Sequence, residues 1–339
     1  MKLYAAIDLH SNNSMLVIID ENDKVVFEKR LRNDLPTVLS HLAPHRGEVV
    51  AVAVESTYNW YWLVDGLMEA GFNVKLVNTV AVRQYDGLKY TGDEHDARHL
   101  AHMMRLGILP TGHIYPKEER SVRDLLRKRA QLVRCRTAQV LSIENLVSRN
   151  TGHGIKIEDI RLLDDAEISR LCGGDEARAL AMRSNLSVML CLDEQIRSLE
   201  RALLPRARLN PAFANLMSVV GVGKILGMTI MYEAGTMERF AKVGCFSSYA
   251  RCVESSKWSN HKKKGEGNRK NGNKYLAWAF VEAAHHAVRH SEAVRKFHQR
   301  KKAKTNGVVA IKAVAHKLAR ACYHVLKDQV PFEEARAFA

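Results

Sequence analysis

Two short apolar runs in the first 55 residues each end in a carboxylate, and this pattern constrains the fold of the chain more than any other. Asp8 closes the run that begins at Leu3, and Glu55 closes the run Val-Val-Ala-Val-Ala-Val-Glu. Asp93 and Asp96 follow three residues apart in a stretch with helical character, so their side chains are expected to share one helix face. Carboxylates at strand ends, joined by two more on a helix, predict a two-metal site for phosphoryl transfer.

The sequence around these acids alternates between strand and helix signals. Strands are predicted at Leu3–Asp8, Met15–Ile19, Val25–Leu31, Val49–Val54 and Phe72–Val77. The fourth of these runs is almost wholly apolar, as expected for a strand that is buried on both faces. Helices are predicted after the third and the fourth strand, the second of them capped by Thr57. Three antiparallel strands followed by alternating helices and strands predict a ribonuclease H-like fold, in which Asp8 and Glu55 lie on neighbouring strands.

The character of the chain changes near residue 117. Two arginine-rich amphipathic stretches, 117–150 and 185–205, flank a Gly- and Asp-containing region and predict an antiparallel helical hairpin or coiled coil. The last third ends in predicted helices around 274–290 and 307–327. We therefore predict an α/β catalytic domain followed by all-α parts. The predicted boundaries are 1–115 for the catalytic domain, 116–207 for a coiled-coil or helical spacer, and 208–339 for a mainly helical C-terminal domain.

Charge is divided unevenly along the chain. Residues 1–116 carry a net charge of −3, whereas the remainder carries +18. This asymmetry indicates an acidic, metal-binding front domain and a basic rear that faces polyanions. The six cysteines include no Cys-x-x-Cys pair, which argues against a zinc site and for reduced thiols. Since no signal segment and no apolar run of membrane-spanning length is found, a cytoplasmic protein without a membrane partner is expected.

A basic, Gly-rich stretch lies at residues 257–274 and holds seven Lys or Arg residues against one acid. Its composition predicts a loop that becomes ordered on a phosphate backbone. The candidate phosphate contacts are Lys257, Lys262, Lys263, Lys264, Arg269, Lys270 and Lys274. Ser259 lies among these cations, and Ser255 and Ser256 are close alternatives. Position alone does not distinguish a nucleophilic serine from an ordinary loop serine.

The segment Val220-Gly221-Val222-Gly223-Lys224 is similar to the Gly-x-Gly turn of a helix-hairpin-helix. Backbone amides at the start of the following helix can hold a DNA phosphate. Gly221, Gly223 and Lys224 are therefore candidates for nucleic-acid binding, with a simple helix–helix turn as the alternative.

Taken together, these motifs resemble those of the DEDD transposases of the insertion-sequence class that includes the Piv/MooV DNA invertases and the bridge-RNA-guided recombinases. The resemblance covers nearly the whole chain. It rests on Ala6-Ile-Asp-Leu-His, Val54-Glu-Ser-Thr, Gly92-Asp-Glu-His-Asp-Ala-Arg-His-Leu-Ala, Val219-Val-Gly-Val-Gly and the stretch from Ser259 to Leu276.

The resemblance implies a role for each candidate residue. It implies that a divalent cation, Mg²⁺ or Mn²⁺, is bound by the four acids Asp8, Glu55, Asp93 and Asp96. Ser259 falls on the serine of the family's Ser-Asn-Gly or Ser-Ser-Gly motif and would be the nucleophile. His261 stands where glycine is common in that motif, which is a departure from the family's pattern.

The resemblance also implies partners and an architecture. It implies a resolvase-like front domain, a coiled-coil spacer, and a homodimer or homotetramer in which the acids of one subunit meet the serine of another. The implied substrates are double-stranded DNA at the element ends and the target, selected by a structured noncoding guide RNA. The expected function is insertion-sequence transposition through a serine–DNA intermediate.

Three other functions remain open on the sequence. The nearest is a metal-dependent Holliday-junction-type nuclease that uses only the four acids. An actin-like sugar kinase also opens with an Asp-bearing hairpin, but it needs Gly-rich phosphate turns that are missing after Asp8. The third is a nucleic-acid-binding scaffold without enzymatic activity.

Overall fold

The computed structural model of the protein describes residues 1–82, 92–265 and 271–338. The chain forms two compact units, Met1–Lys117 and Glu118–Ala339. The first unit is built around a β-sheet, and the second is mainly helical. Within the described ranges, no helix is both long and apolar enough to cross a membrane.

A five-stranded sheet forms the centre of the first unit. Its strands are β1 (Leu3–Leu9), β2 (Asn13–Ile19), β3 (Val25–Arg32), β4 (Val49–Glu55) and β5 (Val74–Val77). They lie in the order β3-β2-β1-β4-β5. The first three strands pair antiparallel, whereas β4 pairs parallel with both β1 and β5. The predicted succession of three antiparallel strands is confirmed, and so is the predicted contact between the strand of Asp8 and the strand of Glu55.

Helices cover both faces of this sheet. They are α1 (Leu35–Leu42), α2 (Tyr61–Glu69) and α3 (Asp93–Arg105). One face packs against α1 and α2, and the other face packs against α3 in a separate apolar core. Coverage on both sides explains why β4 is apolar at nearly every position.

The start of α2 differs from the prediction. Thr57 does not cap this helix, which begins at Tyr61 with Trp60 at its N-cap. The Thr57 hydroxyl instead donates a hydrogen bond to the side-chain oxygen of Asn59 at 2.9 Å. Because a local turn engages the hydroxyl, the helix begins one turn later.

Two long helices open the second unit. They are α4 (Lys117–Thr151) and α7 (Glu176–Arg208), separated by the short helices α5 (Ile157–Ile160) and α6 (Asp165–Leu171). Arg129 pairs with Glu200 at 2.7 Å, and Arg136, farther along α4, pairs with Asp193 at 2.7 Å. As the residue number rises along α4, the residue number of its ion-pair partner on α7 falls. The two helices are therefore antiparallel, which confirms the predicted hairpin. However, α7 begins earlier than the predicted residue 185, because Asp175 caps its first turn by accepting a hydrogen bond from the amide of Arg178.

The remainder of the second unit is a helical bundle with one small hairpin. Its helices are α8 (Pro211–Met217), α9 (Lys224–Ala234), α10 (Val243–Tyr249), α11 (Lys274–His290), α12 (Glu292–Lys304), α13 (Gly307–Asp328) and α14 (Glu334–Phe338). Alanines on one face of α11 allow close packing in the core, around the fully buried rings of Phe246 and Phe280. The hairpin consists of β6 (Lys257–Ser259) and β7 (Lys262–Gly265), so the prediction of a loop is wrong for this part of the stretch 257–274.

Candidate functional site

Asp8 and Glu55 lie side by side on the parallel strands β1 and β4. Asp8 is only 3% exposed, and Glu55 is the last residue of β4. Their carboxyl groups interact closely enough that Asp8 raises the pKa of Glu55, so the protonated form of Glu55 is favoured when no cation is bound. The sheet therefore brings two of the four predicted acids into direct contact.

Helix α3 adds the other two acids, both in its first turn. Burial, the hydrogen bond to Asp8 and the negative charges of Asp8 and Asp96 raise the pKa of Glu55 to about 8. Burial and the charges of Asp8 and Asp93 likewise raise the pKa of Asp96, although His99 and His95 oppose this shift. Carboxyl groups that repel one another in this way are stabilised by a cation that neutralises them.

Two further residues at this site were not predicted from the sequence. His10 Nε2 lies 3.2 Å from Asp8 Oδ2 and 3.3 Å from Asp93 Oδ1. Arg30 on β3 donates a hydrogen bond to Asp93 Oδ2 at 2.6 Å and another to Asn13 Oδ1 at 2.9 Å. The hydrogen bond from Arg30, with the help of His10, holds the pKa of Asp93 below its ordinary value. Asp93 is therefore ionised and held in position, in contrast to Glu55.

These residues fit a hard divalent cation. Asp8, His10 and Asp93 offer ligand atoms that all lie within 4.8 Å of one another. Asp8 also interacts with Glu55. It therefore belongs to two groups of ligands, one with His10 and Asp93 and the other with Glu55. Carboxylate oxygens are the ligands that Mg²⁺ and Mn²⁺ prefer, and a shared carboxylate suits a pair of ions.

We expect the first unit, in the absence of divalent cations, to lose stability as the pH rises from about 5 to about 8. The pKa of Glu55 is raised from its ordinary value of 4.5 to about 8 in the folded chain. Its protonated form therefore favours folding, and that stabilisation is complete below pH 4.5 and is lost as the pH rises through 8. Thermal unfolding in a chelator at pH 5.5, 6.5 and 8.5 measures the effect.

The matched variant for this experiment is Glu55→Gln, which stays neutral at every pH. Its melting temperature should change less between pH 5.5 and 8.5 than that of the wild type. Adding Mn²⁺ should raise the wild-type melting temperature more at pH 8.5 than at pH 6.5, because binding requires the ionised carboxylate. Equal pH dependence in the wild type and in Glu55→Gln would contradict the assignment.

Ser259 lies in the second unit, on the hairpin of β6 and β7. It pairs across the hairpin with Lys262, which places the two Cβ atoms about 5 Å apart. The connecting residues Asn260 and His261 have φ angles of 48° and 58°. Two successive residues in the left-handed region form a type I′ turn, whose second position favours glycine. Ser259 is thus an exposed hydroxyl directly before a tight turn, with a lysine opposite it.

The other predicted residues of this stretch have different surroundings. Ser256 accepts a hydrogen bond from Trp258 Nε1 at 2.8 Å, and Lys263 pairs with Glu254 at 2.6 Å. The Lys274 ammonium lies 5.3 Å from the centre of the Tyr275 ring at the start of α11. Lys262 and Lys264 are exposed, and Lys257 belongs to β6. Arg269 and Lys270 lie outside the described residues.

Backbone hydrogen bonds close the base of the segment that carries this hairpin. The amide of Asn273 donates to the carbonyl of Tyr249 at 2.6 Å. Arg251 Nε donates to the carbonyl of Gly272 at 3.1 Å. Gly272 has a φ of 88°, and a Cβ atom there would lie 2.5 Å from the carbonyl oxygen of Tyr249. Only glycine permits this approach, so the segment enters and leaves the helical bundle at one narrow, fixed point.

A buried carboxylate anchors this point to two helices. Glu233 of α9 is 1% exposed, and it accepts hydrogen bonds from Arg127 Nε of α4 at 2.6 Å and from Asn273 Nδ2 at 2.7 Å. The side-chain oxygen of Asn273 accepts from the amides of Tyr275 and Leu276 and thereby caps α11. One carboxylate therefore joins α4, α9 and the start of α11.

Replacing Glu233 with alanine is expected to lower the free energy of unfolding by about 3 kcal/mol, because it removes the partner of a half-buried guanidinium and of the Asn273 amide. The measurement is urea unfolding followed by circular dichroism. Glu238→Ala, which changes an exposed carboxylate nearby, should cost less than about 0.5 kcal/mol. Equal midpoints for both variants would show that Glu233 contributes nothing to the stability of this unit.

The Gly-x-Gly turn has two glycines with unequal surroundings. Gly221 has a φ of 84°, and a Cβ atom there would overlap the carbonyl oxygen of Ala283 and lie 2.7 Å from the amide of Ala287. Packing against α11 thus explains this glycine without any ligand. Gly223, at the N-cap of α9, has open space around it, and Lys224 is exposed. Of the three candidate residues of this turn, Gly223 and Lys224 are exposed at the surface of the unit, whereas Gly221 is packed against α11.

Comparison with known proteins gives a consistent assignment. Residues 5–150 match the family model of the DEDD transposases of the IS110 type, described as transposase. Residues 213–299 match a second model, described as the transposase IS116/IS110/IS902 family. The first match contains all four acids, and the second contains Ser259.

Two relatives extend the similarity over most of the chain. A "Probable family 20 transposase" of Pseudomonas aeruginosa is 24% identical over 279 residues, which is 80% of each protein. The "Transposase for insertion sequence element IS1111A" of Coxiella burnetii is 24% identical over 291 residues, which is 84% of this chain and 77% of the relative. Both relatives and both family models are named as the same kind of enzyme. The chain is a transposase and belongs to the IS110/IS116/IS902 family.

Proposed function

We propose that this transposase cuts and joins DNA at the ends of an insertion sequence, with metal-binding acids in the first unit and Ser259 as the nucleophile. The observation that carries the proposal is the cluster of Asp8, His10 and Asp93, with Glu55 at the end of the strand beside Asp8 and Asp96 in the same helical turn as Asp93. The strand order and the helix on each face support a ribonuclease H-like, resolvase-like first domain. Exposure of Ser259 opposite Lys262 supports the role of the serine.

Asp8, Glu55, Asp93 and Asp96 would hold Mg²⁺ or Mn²⁺. When bound, the cation would act as a Lewis acid on the phosphodiester and stabilise the charge that develops on it. Glu55 must release its proton before it can serve as a ligand, since its pKa is about 8 without a cation. Arg30 keeps one oxygen of Asp93 in place, so the other oxygen can face the substrate site beside His10.

In the proposed step, Ser259 Oγ forms a bond to phosphorus, and the bond from phosphorus to the leaving deoxyribose oxygen breaks. The serine proton passes to solvent or to an ionised carboxylate, and the leaving oxygen gains a proton. Lys262 places a positive charge beside the reacting phosphate, where it stabilises the added negative charge. Strand joining is the reverse reaction, in which a deoxyribose hydroxyl of another end displaces the serine.

Ser259 and the acids lie in different compact units. The proposal therefore requires the units, or two subunits, to meet on DNA, which is the reason to propose a homodimer or homotetramer. We further propose that residues 116–207 act as a coiled-coil spacer between the catalytic domain, 1–115, and the C-terminal domain, 208–339. A structured noncoding RNA would select the donor and target DNA, as in the bridge-RNA-guided recombinases that the motifs resemble.

Further contacts to nucleic acid are proposed for basic residues of the second unit and for its Gly-x-Gly turn. Their net positive charge suits phosphate backbones and makes binding dependent on salt. The proposed set is Gly221, Gly223, Lys224, Lys257, Lys262, Lys263, Lys264, Arg269, Lys270 and Lys274. Within it, Gly223 and Lys224 are better placed than Gly221, whose lack of a side chain serves the packing of α11.

A nuclease of the Holliday-junction type is the second candidate. It is favoured by the fact that all four acids belong to one unit that does not contain Ser259. Such an enzyme would hydrolyse the phosphodiester with water and would need neither the serine nor a covalent intermediate.

Incubation of the full chain with its flanking noncoding RNA and radiolabelled element-end DNA distinguishes the two candidates. A protein–DNA adduct that resists denaturation, forms with Mg²⁺ or Mn²⁺ and is missing in a chelator is the expected result. Metal-dependent cleavage without any adduct would instead identify the nuclease. Neither cleavage nor adduct with any divalent cation would refute the proposed use of the acids.

A further inference from the structure

The hairpin of β6 and β7 has two chemically different faces. Neighbouring side chains along a strand point to opposite faces of a sheet. Ser259 pairs across the hairpin with Lys262, and Trp258 pairs with Lys263. One face therefore carries the hydroxyl and a lysine, and the other carries an indole ring and a lysine. The proposed phosphate chemistry uses only the first face.

Trp258 is unusually exposed for a tryptophan, at 64%. Its ring nitrogen donates a hydrogen bond to Ser256 Oγ at 2.8 Å, which holds one edge of the indole. The cross-strand Lys263 is paired with Glu254 at 2.6 Å. Within the described ranges, no other aromatic ring stacks on the indole. A large flat apolar surface is thus held in one orientation and left open to solvent.

The surroundings of this surface indicate which ligand it suits. Lysines occupy four of the nine positions from 257 to 265, so the hairpin attracts polyanions. Open aromatic rings among cations are the combination on which nucleobases stack, and such stacking tolerates any base because every base has a π-face. An apolar protein partner would prefer an uncharged surface, so the lysines around the indole make such a partner a poor fit.

The position of the ring restricts the ligand further. Trp258 and Ser259 are consecutive, so their Cα atoms are about 3.8 Å apart while their side chains lie on opposite faces of the hairpin. A nucleic-acid strand that passes around the edge of β6 can therefore bring a base to the indole and the adjoining phosphate to the hydroxyl. The closed base of the segment, at Tyr249 and Asn273, fixes where the hairpin leaves the bundle. In a continuous duplex both faces of each base are covered by neighbours, so an indole reaches a base only where the stack is opened.

We propose that Trp258 stacks on an unpaired or unstacked nucleobase next to the phosphate that Ser259 attacks. This inference rests on the proposed role of Ser259. It assigns the hairpin a substrate in which the strand is locally single-stranded or distorted at the point of cleavage. Trp258 is then a positioning residue, which aligns the phosphate through its base.

Binding without chemistry tests the stacking. The full chain carrying Ser259→Ala is titrated into a fluorescein-labelled oligo(dT) of 20 nucleotides and into a labelled duplex of 20 base pairs. Adding Trp258→Ala should weaken binding to oligo(dT) about tenfold, which is within the range of one lost stacking contact. Adding Trp258→Phe should retain most of the affinity, and duplex binding should change less than about twofold for both variants.

Trp278→Ala provides the matched control, since Trp278 is a partly exposed tryptophan on α11. It should leave binding to oligo(dT) unchanged. Equal losses for oligo(dT) and duplex after Trp258→Ala, or no loss for either, would overturn the inference. Unchanged DNA binding together with loss of self-association would also overturn it, because the indole would then cover a second subunit.

The position of the base is tested with 2-aminopurine on either side of the phosphate that forms the adduct. Its fluorescence should be quenched by the Ser259→Ala chain and restored when Trp258→Ala is added. Quenching that persists without the indole would overturn the adjacency. Stacking is measured without cleavage. Trp258-dependent binding, together with a wild-type chain that forms no adduct with its DNA, would therefore refute the serine chemistry alone.

Discussion

Replacing Ser259 with alanine should remove the covalent protein–DNA adduct completely while leaving DNA binding within about threefold of the wild type. The substitution deletes the only atom that is proposed to bond to phosphorus, and no other group of the alanine can replace it. The side chain is exposed on a two-stranded hairpin, so its loss should not affect folding. The measurement is the fraction of radiolabelled DNA that stays with protein on a denaturing gel.

Ser255→Ala is the matched control, because it removes a hydroxyl from the same segment four residues away. It should form the adduct at close to the wild-type rate. Loss of the adduct in Ser255→Ala but not in Ser259→Ala would move the nucleophile to Ser255. A persistent adduct in both variants would require a nucleophile outside this pair.

Much of the first unit could be predicted from the sequence, because its strands carry strong local signals. Runs such as Val49–Val54 are apolar at every position, and polar turns separate the first three strands. Burial on both faces leaves few alternatives for such runs. The start of α2 was predicted incorrectly because the hydroxyl of Thr57 can satisfy either a helix cap or a local turn, and only the surrounding structure decides between them.

The hairpin of β6 and β7 carries no comparable signal. Its strands contain four lysines and show no alternation of apolar and polar residues. The turn is made by Asn260 and His261, whereas Asn-Gly is the pair that usually marks a type I′ turn. Composition therefore favoured a loop, and the strand pairing that places Lys262 opposite Ser259 could not be predicted.

The residues of the candidate site also differ in how strong a signal they carry in the sequence. The acids were found because each stands at the end of a strand or in the first turn of a helix. His10 had a weaker signal, since it follows Asp8 by two residues and lies just beyond the end of β1. Arg30 had no signal in the sequence, because its partner Asp93 is 63 residues away. The same holds for Glu233 of the second unit, whose partner Arg127 is 106 residues away. Only the tertiary structure brings these partners together.

Asp8→Asn should slow strand cleavage by at least about 10³-fold, because a neutral amide binds the cation that stabilises the reacting phosphate far more weakly than a carboxylate does. Asp8 is the acid that contacts both Glu55 and His10, so its loss affects both groups of ligands. The measurement is the single-turnover rate of cleavage in Mg²⁺ and in Mn²⁺. Glu21→Gln, at an exposed carboxylate of the same unit, should cleave at the wild-type rate.

The same substitution should have the opposite effect on stability when no cation is present. The charge of Asp8 contributes to the raised pKa of Glu55, so Asp8→Asn should lower that pKa and relieve repulsion among the remaining acids. We therefore expect the variant to melt at or above the wild-type temperature in a chelator, and to gain less from added Mn²⁺. A variant that is both inactive and less stable in the chelator would mean that Asp8 supports the sheet and not the cation. Loss of activity with a gain in stability is what distinguishes a metal ligand from a structural carboxylate, because the cluster is unfavourable until a cation occupies it.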